Sequence, residues 1–235
     1  MTDNKIISRP KGEEGRPLFD IGCLNSDSLR ATLVSTAGSH CEVWRAGNRK
    51  RSMGEEDPSY REFVLKYPLS AHSMAECRTL GRHYAQLKTA LEDIVPEALF
   101  FITRINGEPN ICVVAEAVNI WFNIANPQNC EEAVALLKAH PRARDQLSRF
   151  VATAKMWRVS DNPRLIDLYG IDNLVMDVNR EIRYVDSFYV FFFEDMLELL
   201  QDEDPKLETC ISSSLAQLAY LEGLLEGAGH VFLPK

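Results

Sequence analysis

The sequence predicts a two-lobed α+β fold, in which an N-lobe with an antiparallel five-stranded sheet and one inserted helix precedes a reduced, mostly helical C-lobe. Three observations predict it. Strand-like apolar runs crowd the first half, with one helical stripe among them, and helical periodicity takes over beyond Asn119. The two regimes meet where an apolar strand runs out near Val118, and a cleft between two packed layers would open there.

Each element follows from local pattern. Residues 1–27 are rich in charge, Pro and Gly without a regular period, so an irregular N-terminal tail is expected there, then an N-lobe over 28–118 and a C-lobe over 119–235. Ser28 to Val34 and Glu42 to Ala46 have the composition of two strands around the small polar run Ser35 to Cys41. Gly47 to Arg61 is a breaker-rich loop, and Glu62 to Tyr67 is a third strand with Lys66 inside it. Ser73 stands where it can cap a helix from Met74 to Glu92, on which Leu80, Tyr84, Leu87 and Leu91 share a face. Ala98 to Asn106 and Asn110 to Val118 form another antiparallel pair, joined by Gly107 to Pro109.

In the second half, helices are expected over Glu131 to Ala139 and Arg142 to Val159, with a break at Pro141. Leu165 to Gly170 is expected as an irregular turn. Asn173 to Val178 and Glu181 to Val185 make a hairpin about Asn179 and Arg180, and two helices close the chain over Phe191 to Gln201 and Pro205 to Glu226.

The bulk composition sets limits on function. With 235 residues, 46% of them hydrophobic, the chain is long enough to bury a full core. A net charge of −8 and a pI near 5.2 argue against a nucleic-acid surface, which must neutralise many phosphates. No apolar run approaches the roughly 18–20 residues of a membrane span, and Met1 to Arg16 is too polar for a signal peptide. The six cysteines are scattered without a Cys-x-x-Cys pair, so reduced thiols and a cytoplasmic location are expected.

Lys66 is the first residue that calls for chemistry. A lysine flanked by Val64, Leu65 and Tyr67 must face a cleft, snorkel to the surface or find an anion. Five stretches around it carry a pattern: Thr36-Ala-Gly38-Ser-His-Cys41-Glu-Val43; Phe63-Val-Leu-Lys66; Ala75-Glu76-Cys-Arg-Thr-Leu80; Val113-Val-Ala-Glu116-Ala-Val118; and Leu165-Ile-Asp167 through Asn173 to Asp177, followed by Ile182-Arg-Tyr-Val-Asp186-Ser-Phe188. In this order, over roughly Leu33 to Phe188, the chain resembles the protein-kinase-like superfamily, including the small bacterial kinases related to sugar, choline and aminoglycoside phosphotransferases.

The resemblance implies a set of roles. Gly38 would belong to the phosphate loop and Val43 would cover the adenine, while Lys66, oriented by Glu76, would hold the α- and β-phosphates. Backbone groups around Glu116 to Val118 would meet the adenine edge. Asn173 and Asp186, brought side by side by the hairpin between them, would offer oxygen ligands to Mg²⁺, and Asp167 would accept the proton of a substrate hydroxyl.

The chain also departs from the family pattern. Only Gly38 and Val43 match the glycine-rich loop, Leu165-Ile166 replaces the His-Arg before the catalytic Asp, and Asp186-Ser-Phe replaces Asp-Phe-Gly. Asp167 to Asn173 is one residue longer than the usual offset, which leaves Asp161 and Asp172 as alternative acid–base residues. No Ala-Pro-Glu-like segment follows Asp186. The expected function is an ATP- and Mg²⁺-dependent phosphotransferase acting on a hydroxyl of a small molecule or a protein. The alternatives are a pseudokinase acting as a regulatory or adaptor module, and an α+β interaction protein that binds no nucleotide.

Overall fold

Alternating apolar strands in the first half assemble into one antiparallel sheet in the computed structural model, which describes residues 31–35, 41–49, 60–105, 107–193 and 205–229. Its strands are β1 (Ala31–Ser35), β2 (Cys41–Arg49), β3 (Tyr60–Pro68), β4 (Ala98–Ile105) and β5 (Glu108–Glu116), in the spatial order β1-β2-β3-β5-β4. Val43, Lys66, Val113 and Phe100 lie opposite one another across β2, β3, β5 and β4. Strand alternation therefore sets Cys41, Val64, Ile111 and Ala115 on the same face as this row.

That face packs on the first turns of helix α1 (Met74–Leu91) in a cluster holding Cys41, Cys77, Leu80, Ile111, Val113, Ala115 and Phe188. Ser73 caps the helix as its position suggests. Its hydroxyl accepts from the Glu76 N–H at 3.2 Å, and the Glu76 carboxylate accepts from the Ser73 N–H at 2.7 Å. At the other end, Lys88 Nζ donates to the Glu92 and Val95 carbonyls at 3.0 and 2.8 Å, satisfying acceptors that the last turn leaves open.

The remaining α-helices among the described residues are α2 (Cys130–Ala139), α3 (Pro141–Arg158) and α4 (Pro205–Gly227). Pro141 occupies the first turn of α3, where its missing N–H is harmless, and so divides α3 from α2. The apolar stripe Leu147, Phe150, Val151, Ala154 and Trp157 of α3 is buried against Leu218, Leu221, Leu224 and Leu225 of α4. Tyr84, Leu87 and Leu91 of α1 join this larger cluster, so one helix reaches into both cores.

Three short strands, β6 (Ile120–Phe122), β8 (Leu174–Asp177) and β9 (Ile182–Tyr184), form a separate sheet in the order β6-β8-β9. The hairpin β8–β9 matches the expected one within a residue or two, whereas β6 was not anticipated. It pairs Ile120 with Asp177 and Phe122 with Met176, an association between residues distant in the chain.

Two further expectations are corrected. Leu165–Ile166, expected as irregular, is strand β7, and Phe191–Phe192, expected to open a helix, is strand β10 paired with it. The ladder continues through the Asp167 N–H, which donates to the Val190 carbonyl at 3.0 Å. Phe191 is buried edge-on against Trp157 at 5.1 Å, so tertiary burial and the β7 backbone decide the conformation of this aromatic run. Residues 194–201 of the expected helix lie outside the described residues, as do Gly38 and its loop. Among the described residues, no helix is long and apolar enough to cross a membrane.

Leu87 is fully buried where α1 enters the larger core, whereas Val159 beyond α3 is 86% exposed. Leu87→Ala is expected to lower the free energy of unfolding by about 2–5 kcal/mol and Val159→Ala by less than about 0.5 kcal/mol in urea denaturation. Equal effects would contradict this packing.

Candidate functional site

Lys66 sits on the helix-facing side of β3 with only 6% of its surface exposed. A buried ammonium requires acceptors. It finds them on the hairpin of the other half, where its Nζ donates to the Val185 carbonyl at 2.7 Å and lies 3.5 Å from Asp186 Oδ1.

The hairpin places those acceptors through its own turn and alternation. Asp177 Oδ1 accepts from the N–H groups of Asn179 and Glu181 at 2.8 and 3.0 Å, and Arg180 adopts the left-handed φ of 64° that the tight reversal needs. Leu174, Met176, Ile182 and Tyr184 point into the larger core. Val175 and Arg183, paired with each other, occupy the opposite face, and the Arg183 guanidinium reaches Glu116 of β5 at 2.9 Å.

At the open end of the hairpin, the Val185 N–H donates to the Asn173 carbonyl at 2.8 Å, so Asn173 and Asp186 leave the ladder side by side. Asn173 Nδ2 lies 3.4 Å from the Asp167 carbonyl and 3.5 Å from Asp186 Oδ2. Asp186 Oδ1 accepts from the Ser187 and Phe188 N–H groups at 2.6 and 3.3 Å in addition to facing Lys66. Its Oδ2 has only the long Asn173 contact among the described residues and is the carboxylate oxygen left open to a further ligand.

Asp167 belongs to the same cluster. Its carbonyl accepts from the Tyr184 hydroxyl at 2.9 Å, and its Oδ1 accepts from the Tyr169 N–H at 2.8 Å. Burial, with the Asp186 charge adding to it and the Tyr169 N–H opposing it, raises the Asp167 carboxyl to a pKa of about 7. The extra residue between Asp167 and Asn173 is absorbed by a turn in which the Asn173 N–H donates to the Gly170 carbonyl at 2.9 Å. A Cβ at Gly170 would stand 2.9 Å from Asn173 Oδ1, so glycine makes room for this side chain. The alternatives lie elsewhere: Asp161 is exposed in the turn beyond α3, and exposed Asp172 accepts from Asn123 Nδ2 at 2.6 Å.

The other expected residues divide. Val43 stands opposite Lys66 and packs against the smaller cluster. Glu116 is exposed and paired with Arg183; its N–H donates to the Glu97 carbonyl at 2.8 Å, and the Ala117 N–H to the Glu62 carbonyl at 3.3 Å, with Val118 following half-buried. Glu76 is not brought to Lys66. It is exposed at the third position of α1, where Ser73 offers a local partner that competes with any reach across to β3. Gly38 lies outside the described residues.

Sequence reasoning missed the Val185 carbonyl, Val175 and Arg183. Alternation through 182–185 carries a signal for Arg183, which interrupts an apolar run, whereas Val175 lies within the apolar run Leu174-Val-Met176 and carries none. Cys41, on the Lys66 face of β2, is buried, and that burial raises its thiol to a pKa of about 11 against the opposing effect of Lys66. It stays protonated and unreactive.

Among the described residues, no group of three or more His, Cys, Asp or Glu side chains gathers to hold a metal ion. The available set is one carboxylate and one amide, hard oxygen donors that suit Mg²⁺ when phosphate oxygens and water complete its shell. The chain matches no protein-family model, and a search of curated proteins finds no match to it.

Asp167 offers a test through pH. Its folded pKa of about 7 lies above the ordinary 3.8, so the folded state binds this proton more tightly than the unfolded state. The stability it contributes is full below pH 3.8 and is lost as pH rises through about 7. Asp167→Asn keeps an acceptor for the Tyr169 N–H without the charge. It is expected to be more stable than the wild type at pH 8, by up to about 4 kcal/mol, with the difference shrinking as pH falls. A difference that does not change with pH in denaturant titrations would contradict the burial of this carboxylate.

Proposed function

We propose that this chain is an ATP- and Mg²⁺-dependent phosphotransferase of two-lobed, protein-kinase-like fold that acts on a hydroxyl acceptor. One observation carries the reading: the Lys66 ammonium, from the sheet, stands 3.5 Å from Asp186, which stands 3.5 Å from Asn173, while Asn173 touches the backbone of buried Asp167. The sheet and α1 make the smaller lobe, α2 to α4 make the larger one, and the nucleotide lies between them.

The adenine edge meets the chain at Glu116 to Val118. The Glu116 and Ala117 N–H groups are taken by Glu97 and Glu62, which leaves the Val118 N–H for the base. Val43 of β2 covers one face of the ring and Val175 of β8 the other. The Lys66 ammonium exchanges the Val185 carbonyl for α- and β-phosphate oxygens, a stronger charge-assisted partner. Asp186 Oδ2, and Asn173 Oδ1 once the amide turns to put its oxygen where Nδ2 now faces Asp186, are the oxygens that would hold Mg²⁺, which when bound would supply positive charge to the β- and γ-phosphates.

Asp167 then receives the acceptor proton. As the acceptor oxygen bonds to the γ-phosphorus, the bond from that phosphorus to the β,γ-bridging oxygen breaks, ADP leaves with the electron pair, and the hydroxyl proton passes to the Asp167 carboxylate. A carboxyl that titrates near neutrality suits this exchange, because it is neither too weak to take the proton nor too strong to return it. Most of the acceleration comes from positioning and from charge stabilisation. The acceptor is a small molecule or a protein.

A second reading is a pseudokinase, a regulatory module of the same fold that binds nucleotide without turning it over. It is favoured by Glu76, which lies in the capping box and leaves Lys66 without a carboxylate from α1. Both readings expect ATP with MgCl₂ to raise the melting temperature. The stabilisation is roughly 2.7 kcal/mol at a hundred times the dissociation constant, and Lys66→Ala and Asp186→Ala should each abolish it. Phosphate release or transfer that disappears in both variants identifies the enzyme, and binding without turnover identifies the pseudokinase. No shift at millimolar nucleotide would contradict both and leave an interaction protein that binds no nucleotide.

A further inference from the structure

Directly beyond Asp186, the chain takes a conformation that Tyr189 does not favour by itself. Tyr189 has φ 49°, a left-handed backbone that costs a residue with a Cβ free energy and persists only where surroundings impose it. One group that holds it, besides its packing on the smaller apolar cluster, is His72, in the link between β3 and α1. Only 3% exposed, its ring bridges Asn110 Oδ1 through Nδ1 and the Tyr189 hydroxyl through Nε2, each at 3.0 Å, and it stacks on Phe188 at 6.4 Å.

The direction of these bonds follows from Asn110. Its Nδ2 donates to the Ser70 carbonyl at 3.1 Å and its Oδ1 accepts from the Ile111 N–H at 2.9 Å, so the oxygen faces His72 and Nδ1 carries the proton. In the neutral ring, Nε2 then accepts from the Tyr189 hydroxyl. One imidazole thus ties the segment after Asp186 to β5 and to the link that follows Lys66.

We propose that His72 is a positioning residue for Asp186. Acting through Tyr189, it fixes the Asp186-Ser-Phe turn so that Oδ2 stays presented beside Asn173. The proposal rests on the nucleotide-binding reading above and deepens it, because it assigns to this anchor the part of nucleotide affinity that depends on Mg²⁺. It also supplies, by a different route, a link between the strand of Lys66 and the metal-binding turn that Glu76 does not make.

The test uses the full-length chain and Tyr189→Phe, which removes the hydroxyl and keeps the ring. In the nucleotide-free protein, amide exchange over residues 186–190 is expected to quicken about five- to tenfold, with α4 unchanged, as for the loss of one hydrogen bond. In ATP titrations, the ratio of affinity with MgCl₂ to affinity in EDTA should fall by about the same factor, while affinity in EDTA stays unchanged. Tyr189→Gly, which tolerates the left-handed backbone but has no anchor, should behave like Tyr189→Phe.

Unchanged exchange in Tyr189→Phe overturns the proposal, and so does a loss of affinity that is equal with and without Mg²⁺, because a merely structural role would cause that. A Tyr189→Gly variant that retains the wild-type ratio overturns it as well, since backbone conformation alone would then suffice. A wild-type chain that binds no nucleotide in either buffer defeats the functional reading and the Mg²⁺ role together, and the exchange rates still decide whether the anchor exists.

Discussion

The hydrogen bond from the Val185 N–H to the Asn173 carbonyl, 2.8 Å long, is the constraint on which the candidate site depends. It closes the β8–β9 hairpin at the end where Asn173 and Asp186 emerge, and so fixes two residues otherwise well separated in the chain beside one another. The same hairpin presents the Val185 carbonyl to Lys66. Its rigidity comes from the opposite face, where fully buried Tyr184 packs against Phe150 and sends its hydroxyl to the Asp167 carbonyl. One strand thus serves the core with one set of residues and the site with the other.

The site also carries an energetic tension. Lys66 is nearly buried, and such a charge is held only where fixed acceptors replace the water it has lost. Asp167, equally removed from solvent, keeps its proton up to about pH 7 because burial and the Asp186 charge both penalise ionisation. Apolar residues of similar volume at these positions would suit the fold better. Polar groups retained against stability in this way mark places where the chain serves something other than folding.

The regular parts of this architecture were legible because period encodes burial. The stripe Leu80, Tyr84, Leu87 and Leu91 states which side of α1 is covered, and the structure covers that side. Pairings between distant segments were not legible. The insertion of β5 between β3 and β4, the β6–β8 ladder and the β7–β10 pair depend on partners that no local window contains. The local pattern of the Phe191 to Phe193 run suggests a helix for this reason, and its strand character comes from β7.

Within the site, Lys66, Asn173 and Asp186 were singled out by the resemblance, and what the sequence made legible was their meeting, since a short hairpin brings the last two together and a lysine in an apolar strand must have a destination. The position of Glu76 was misleading, since an adjacent Ser73 gives a carboxylate in the first helical turn a nearer partner. Spacing alone also left Asp161, Asp167 and Asp172 open. The turn from Gly170 to Asn173 takes up the extra residue, and only burial and the contact with Asn173 distinguish Asp167.

The most direct measurement of the central claim is a crystal structure of the full-length chain with Mn²⁺ and a non-hydrolysable ATP analogue, the metal located by its anomalous scattering. The expected result is a manganese peak about 2.1–2.2 Å from both Asp186 Oδ2 and Asn173 Oδ1, with the Lys66 ammonium on the α- and β-phosphates. A triphosphate bound away from Lys66, or a metal held by other residues, would contradict it.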